Sequence, residues 1–557
     1  MEFYTVSDEK RPIRLKETTR QFAYESLKGK YGDEAMKTYD IDLTDIPGFS
    51  DMSDYDQHDI AINRIVSEAP VRICEHELLS GAATLGSAID ANVPVRFTPS
   101  DGSKWSLIGV NHLTAGFDRV VRIGVDAVEK EIDEAAGRSG LSEPQMRFYK
   151  SLKNSVSALR IWHSRYLEAT KDTKPDIYKN LLRVPFGQPR SYYEAMQSLW
   201  FLFAFTRLCG HWSGIGRIDR FIGPYLKADL EKGAITLDEA REIMASFFIK
   251  GCEWIRSNYV FKGGDAQHYQ NILLGGVDED GNDVANEVTY LVLDVVEELS
   301  ISDFPISVRI GKNTDRKLLL RVCEVMKHGG GVIALYNEDT VIDSLVGAGY
   351  DIKEARQFAN DGCWEVEIPG RTFFTYYGMD ALQLLLSKTL GLSGEPKIYG
   401  DYESLERAYL CDLKEEIEEK PYKYYKYALG YDDEQGRYHW KHHRVCSPIS
   451  LFYKDCIDSG LSYLDRGPKY NTLSPHLGGA PDTANSLYAI KKLVFDDKKV
   501  GFGELMQILK NNWEGSEELR QVALSKYLYY GNDNDEVDSI YARLLDFLQR
   551  SSTEGCR

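Results

Sequence analysis

Asn271-Ile272-Leu273-Leu274-Gly275-Gly276 is a short apolar run closed by glycines, and it reads as a buried strand. Asp280-Gly281 then signals a turn. Ala285 to Leu299 reads as a helix that turns Val288, Leu291, Val292 and Val295 inward. Ile306-Ser307-Val308-Arg309-Ile310 is a second strand. Leu318 to Met326 is a helix ended by Gly329-Gly330-Gly331, and Val332-Ile333-Ala334-Leu335-Tyr336 is a third strand. Strand, helix, strand, helix, strand is the pattern of parallel α/β architecture. Such sheets carry their sites on loops at the carboxyl ends of strands. That places Asn337-Glu338-Asp339, and the segment around Cys363, on such loops or just beyond them.

Outward from this middle region the pattern is helical. Met146, Phe148, Leu152, Val156, Leu159 and Trp162 recur at helical spacing. Leu237 opens another helix that buries Ile243, Met244, Phe247 and Phe248, with Thr236 and Glu239 as its capping box. After the middle, Pro481-Asp482 starts a helix burying Leu487, Ile490, Leu493 and Val494. The next buries Phe502, Leu505, Met506 and Leu509. The run Tyr422-Lys423-Tyr424-Tyr425-Lys426-Tyr427 reads as a solvated helix face in an acidic chain.

The 557 residues carry 67 basic and 86 acidic side chains, a formal charge of −19, which argues against nucleic acid or an anionic membrane as the main partner. No apolar run reaches the ~18 residues of a membrane span. The opening Met1-Glu2-Phe3-Tyr4-Thr5-Val6-Ser7-Asp8-Glu9-Lys10 lacks the pattern of a secretory signal. Nine scattered Cys with no close C-x-x-C pair make neither a disulfide framework nor a zinc site, so a cytoplasmic setting is expected.

Three constellations are set aside. Asp278-Glu279-Asp280-Gly281-Asn282-Asp283 has its glycine fourth rather than sixth for a calcium loop, and reads as a turn. His442-His443 are adjacent and cannot share a helix face. Gly214-Ile215-Gly216 lacks the third glycine of a dinucleotide loop.

Asn360-Asp361-Gly362-Cys363-Trp364-Glu365 is different. Pro369-Gly370 closes it as a loop, and extended backbone would put Cys363 and Glu365 on one face. A thiol beside a carboxylate is a poor thiolate nucleophile, because the negative charge opposes ionisation. No His is near in sequence to act as its base. A neutral thiol that carries a radical, with the carboxylate moving a proton, suits the pair better. On spacing alone, an inert buried Cys stays open beside a reactive one.

Several blocks in order resemble the pyruvate formate-lyase superfamily, the glycyl radical enzymes. Gly214-Ile215-Gly216-Arg217-Ile218-Asp219 with Gly223-Pro224-Tyr225 is similar to that family's Gly-Arg-x-Asp-Gln block, with Arg220 in place of Gln. Val284 to Leu291 resembles its Ala-Thr-Asn-Glu-Leu-Ser-Tyr-Leu block, and Asp361-Gly362-Cys363-Trp364-Glu365 its Gly-Cys-x-Glu loop. Lys469-Tyr470-Asn471, Asn485 to Phe495, and Tyr530-Gly531-Asn532-Asp533 follow in place.

The resemblance implies a ten-stranded-type α/β barrel of two parallel half-sheets surrounded by helices, with the Cys on a finger loop inside. The chain would be one such domain, mainly helical over about 1–260, with the barrel and Cys loop over about 261–557. It implies Cys363 as the thiyl position and Glu365 as the base of a lyase that eliminates water or an amine from a small polar substrate. It implies His211, Ser213, Tyr376, Tyr377 and Asp380 as substrate-binding residues, no directly bound cofactor or metal, a radical-SAM activating enzyme as partner, and a homodimer. Trp364 stands where formate-lyases have a second cysteine, which disfavours that activity, and Val366 replaces a frequent Pro. The family's C-terminal Arg-Val-x-Gly-Tyr loop, which stores the radical, is not found before Arg557. Val346-Gly347-Ala348-Gly349-Tyr350 and Leu429-Gly430-Tyr431 mimic it out of place. A truncated chain, a small partner supplying the glycyl loop, and a radical-incompetent binding protein are the three alternatives this leaves, beside a formate acetyltransferase-like or decarboxylase member.

Overall fold

The structure, a computed structural model, describes every residue except 1–2, 4, 6, 37–40, 44, 83–94, 97–108, 254, 256, 258–269, 302–303, 330–332, 364, 425–429, 433, 436–437, 441–444 and 556–557. Trp364, Tyr425 to Tyr427, Leu429 and the His442-His443 pair therefore lie outside the described residues. The chain forms two compact units, residues 1–374 with 442–471, and residues 375–441 with 472–557. Among the described residues no helix is long and apolar enough to cross a membrane.

In the first unit, the helix Glu143–Thr170 starts at a capping box of Ser142 and Gln145. It buries Phe148, Leu152, Val156, Leu159 and Trp162, while Met146 in its first turn stays exposed. The helix Leu237–Gly251 has the expected Thr236 and Glu239 box and buries Ile243, Met244, Phe247 and Phe248. Tyr192–Leu208 is buried on nearly every side, which its run Leu199-Trp200-Phe201-Leu202-Phe203 requires.

Against these helices lies a parallel sheet of β1 (Ile272–Gly275), β2 (Ile306–Ile310) and β3 (Ile333–Asn337). The crossovers are α1 (Glu287–Leu299) and α2 (Arg316–Met326), and α3 (Glu338–Gly347) follows β3. Register aligns Ile272 with Ile306 and Ile306 with Ile333. Parallel bridges from Gly216 to Ile272 and from Thr114 to Gly214 extend the row, giving five parallel segments side by side. The parallel row thus reaches upstream of residue 260. Its first two members are single bridges with no apolar run, so periodicity could not announce them.

Side chains alternate across the sheet. Ile272, Leu274, Ile306 and Val308 enter the main core with the helices. Leu273 and Tyr336 face the other way and pack with Phe358, Ala359 and Ile368. The expectation of a loop at Asn337-Glu338-Asp339 is corrected. Asn337 ends β3 and caps α3 by accepting from Thr340 N–H, with Glu338 and Asp339 in the first turn where the helix dipole favours acids. Asp278 to Asp283 is a turn, closed by the antiparallel bridge of Val277 and Asp283.

The strands Thr372–Asp380 and Tyr470–Gly478 pair with each other, and the second unit holds them from Thr375 and Thr472 onward. Its helices Tyr402–Lys423, Ala480–Ile490, Phe502–Lys510 and Asp535–Gly555 enclose Leu385, Leu405, Tyr409, Leu413, Leu487, Met506, Val537 and Leu544. Leu493 is buried as expected, whereas Val494 and Leu509 are partly so.

Candidate active site

The chain between Asn360 and Glu367 is a tight hairpin. Strand β4 (Ala359–Asp361) pairs antiparallel with β5 (Glu365–Glu367), Asp361 opposite Glu365. Gly362 has φ +57, the left-handed conformation a short hairpin turn needs. A Cβ there would lie 2.2 Å from both Glu365 Oε2 and His112 Nδ1, so only glycine fits. Cys363 follows at the tip and is exposed, while Glu365 is buried. The extended single face expected for the two is replaced by a turn, which sends the thiol outward and the carboxylate inward.

Three carboxylates of the hairpin meet three consecutive residues of a distant segment. Leu113 N–H donates to Asp361 Oδ2 at 2.8 Å, and Thr114 N–H donates to Glu367 Oε2 at 2.7 Å. His112 Nδ1 lies 2.9 Å from Glu365 Oε1, and the ring donates when Glu365 is ionised. Asn271 N–H, just before β1, donates to the other Asp361 oxygen at 3.2 Å, and Gly370 N–H returns a bond to Thr114 O at 2.9 Å. Gly214 must lack a side chain, since a Cβ would sit 2.5 Å from Asp361 Oδ1. His112 itself holds φ +55, an unfavourable conformation for a non-glycine residue of the kind that clusters at functional sites.

Burial raises the Asp361 and Glu367 carboxyls well above their ordinary range. Glu367 Oε1 has no partner among the described residues. Tyr336, inward from β3, has its hydroxyl raised first by burial and then by the charge of Glu365, with Asp361 and Cys363 also in electrostatic reach. Arg309 ties the hairpin to the sheet. Its Nη1 donates to Arg356 O and Phe358 O at 2.9 and 3.2 Å, its Nε to Glu338 at 3.0 Å, and it stands over the Phe358 ring.

His211 is fully buried, and burial pushes its imidazole down to about 3, so the ring is neutral. Val110 N–H donates to its Nδ1 at 3.4 Å, which assigns the proton to Nε2. That Nε2 has no partner among the described residues. Ser213 is also buried. Its hydroxyl donates to Gly214 O and accepts from Ala115 N–H, each at 3.0 Å, tying two segments of the parallel row. Tyr376, Tyr377 and Asp380 belong to the second unit. Tyr376 stacks on His476 with centroids 4.9 Å apart, Tyr377 tilts against Tyr424, and Asp380 accepts from Gln383 N–H as a helix cap. Asp380 thus has a structural task whatever else it does.

Among the described residues, one grouping has metal-ligand chemistry: Cys74, Glu77 and Glu253. Lys250 Nζ stands 2.6 Å from both carboxylates and Arg72 pairs with Glu253 at 3.0 Å, so two cations already match the two acids.

Sequence reading missed His112 and Tyr336. Each is brought to the hairpin by the fold, from 253 residues away for His112. The available signal was indirect: three acids within seven residues need donors, and the chain has only 11 His to supply a ring.

The site is thus a hairpin bearing a thiol and a carboxylate, set against a parallel α/β row. The chain belongs to the pyruvate formate lyase-like family, whose sequence model matches residues 100–554. It is 29% identical over 399 residues to the trans-4-hydroxy-L-proline dehydratase of Clostridioides difficile, covering 65% of this chain and 47% of that protein. It is 26% identical over 484 residues to the (2S)-3-sulfopropanediol dehydratase of Klebsiella oxytoca, covering 78% and 56%. The chain therefore spans about half the length of these curated relatives. The glycerol-bound B12-independent glycerol dehydratase of Clostridium butyricum shares the fold, with a TM-score of 0.77 at 21% identity over 98% of this chain and 79% of that one.

Proposed function

We propose that the chain is the catalytic core of a glycyl radical lyase that eliminates water, or an amine, from a small polar substrate. The observation that carries this reading is the hairpin: an exposed thiol at its tip and, two residues on, a buried carboxylate held by His112. The relatives named above are dehydratases, which supports the reaction class and leaves the substrate open.

The family's radical reaches such a site on a glycyl-bearing segment, installed by a radical-SAM activating enzyme. On this chain, Cys363 would give its Sγ hydrogen atom to that glycyl radical, the S–H bond breaking as the glycyl C–H bond forms, and the thiyl would take a hydrogen atom from a substrate carbon bearing a hydroxyl. Glu365 takes the proton of that hydroxyl. The neighbouring hydroxyl leaves and acquires a proton to depart as water, and the substrate radical recovers its hydrogen atom from Cys363. The sequence is redox-neutral overall. His112, hydrogen-bonded to Glu365, orients the carboxylate and relays the proton. His211 Nε2–H, a buried neutral donor, suits a substrate hydroxyl oxygen.

Ser213, Tyr376, Tyr377 and Asp380 are further proposed substrate-binding residues. The five parallel segments form one half of a ten-stranded-type barrel, and the working protein is a cytoplasmic homodimer. The test is anaerobic. The protein, with a glycyl-bearing segment in cis or in trans and an activating enzyme, is expected to show a glycyl radical by electron paramagnetic resonance and to turn over small diols or amino alcohols. Cys363→Ala is expected to keep the glycyl signal and abolish turnover. Turnover surviving that change would sink the thiyl role.

A further inference from the structure

At the base of the hairpin, where Glu367 runs on into Ile368-Pro369-Gly370-Arg371, the first unit holds a cavity of about 440 Å³. None of Cys363, Glu365, His112 or His211 lines it. Its walls carry six cationic side chains, Arg119, Arg122, Arg217, Arg220, Arg371 and Lys454, against four acidic ones. On a chain with a net charge of −19, that is a local reversal of sign.

Most of these charges are already matched. Arg371 pairs with Glu354 and Asp455, Lys454 with Asp458, and Arg220 with Glu279. Asp118 is the remaining acid of the wall. Three cations are left with unspent capacity. Arg217 is only 4% exposed and makes no ion pair among the described residues. Its Nη1 and Nη2 donate to Arg356 O and Gly275 O at 3.2 and 3.0 Å, and its Nε has no partner among those residues. Asp219, two residues on, is occupied by Gly275 N–H, Arg220 N–H and the Thr289 hydroxyl. Arg119 pairs with Glu131 through Nη2 and leaves Nη1 buried without a partner among the described residues. Arg122 is exposed and makes no ion pair among the described residues.

Asp219 and Glu338 act on Arg217 only through space, while burial and the neighbouring Arg309 and Arg220 oppose its charge, so a buried cation whose hydrogen-bond acceptors are carbonyls is held at a cost. The guanidinium fork is matched by a carboxylate or a phosphate, either of which accepts two of its N–H groups at once. We infer that this cavity binds a small molecule bearing a carboxylate or phosphate group, with Arg217 as the buried anchor and Arg119 and Arg122 nearer solvent. Such an occupant would touch Gly370, whose N–H bonds Thr114 O, and so would brace the hairpin where it leaves the sheet.

The experiment uses the 557-residue chain. Sodium phosphate and sodium citrate, each matched to sodium chloride in ionic strength, are titrated by calorimetry and in thermal unfolding. At least one oxyanion is expected to bind and raise Tm, phosphate identifying a phosphorylated ligand and citrate a carboxylated one. Arg217→Gln, and separately the Arg119→Gln/Arg122→Gln double variant, are expected to weaken that binding about tenfold or more, the loss of one charge-assisted bond. The double variant changes less buried side chains and decides the matter if Arg217→Gln does not fold. Binding of neither oxyanion beyond the chloride control, or binding undiminished in the variants that fold, would overturn the inference.

Discussion

His112 Nδ1 and Glu365 Oε1 stand 2.9 Å apart although 253 residues separate them in the chain. The contact gives the carboxylate a fixed orientation and, in the proposed reaction, a proton route. His112→Ala is expected to lower the elimination rate by about 10²-fold, the usual scale of a general acid–base contribution. His112→Gln, which keeps a neutral N–H, should lose less. Steady-state kinetics on the activated protein checks both, and equal rates for wild type and His112→Ala would remove the relay role.

Glu365→Gln separates two steps. In the proposed reaction, hydrogen-atom exchange at the substrate needs only the activated Cys363, whereas elimination needs the base. With deuterated substrate, the variant is expected to wash label out while forming no product. Unchanged elimination would refute Glu365 as the base.

Gly362→Ala meets two obstacles. The left-handed backbone costs about 1–2 kcal/mol for a residue with a Cβ, and that Cβ would strike Glu365 and His112. The variant should unfold at lower urea and should lose turnover out of proportion to its stability, since the clash falls on the two proton-moving groups.

Stability should depend on pH through Glu367 and Asp361. Both carboxyls are raised by burial, so the folded chain holds their protons more tightly than the unfolded one. For a raised carboxyl, stability is full below the ordinary carboxyl range and falls as pH climbs toward the raised value. Glu367→Gln keeps an oxygen for Thr114 N–H and removes the titration. Its Tm, followed over about pH 5 to 9, should fall less steeply than that of wild type, with the gain largest at the alkaline end. A slope unchanged in both Glu367→Gln and Asp361→Asn would contradict this origin.

His211 is neutral throughout the working range, because burial holds its ring near 3. Substrate affinity should therefore show no titration of this residue above about pH 5. His211→Phe removes the Nε2–H donor and is expected to raise KM about tenfold or more, in line with one buried hydrogen bond.

The fold was legible where local signals are strong. The runs at 272, 306 and 333 are apolar, bounded by glycine or turn residues and separated by helical periodicity, and they became the parallel sheet. Thr236 and Glu239 announced their capping box because that signal spans only four residues. The strand members at Thr114 and Gly214 were silent, since one bridge needs no apolar run. At the site, Cys363 and Glu365 stood out by adjacency and by the blocks around them. His112 and Tyr336 did not, because what makes them matter is proximity that only the tertiary fold creates. Asn337 was misread as loop because a good helix cap and a loop residue look alike in sequence.

The triple clasp between residues 112–114 and the hairpin also bears on how the chain folds. The two hairpin strands are neighbours in sequence and pair early at little entropic cost, whereas their partners close a loop of some 250 residues. Closing the clasp therefore carries a larger entropic cost than forming the hairpin. Orientation of Glu365 thus depends on contacts reaching across the first unit, whereas the exposed thiol at the tip depends only on the local turn.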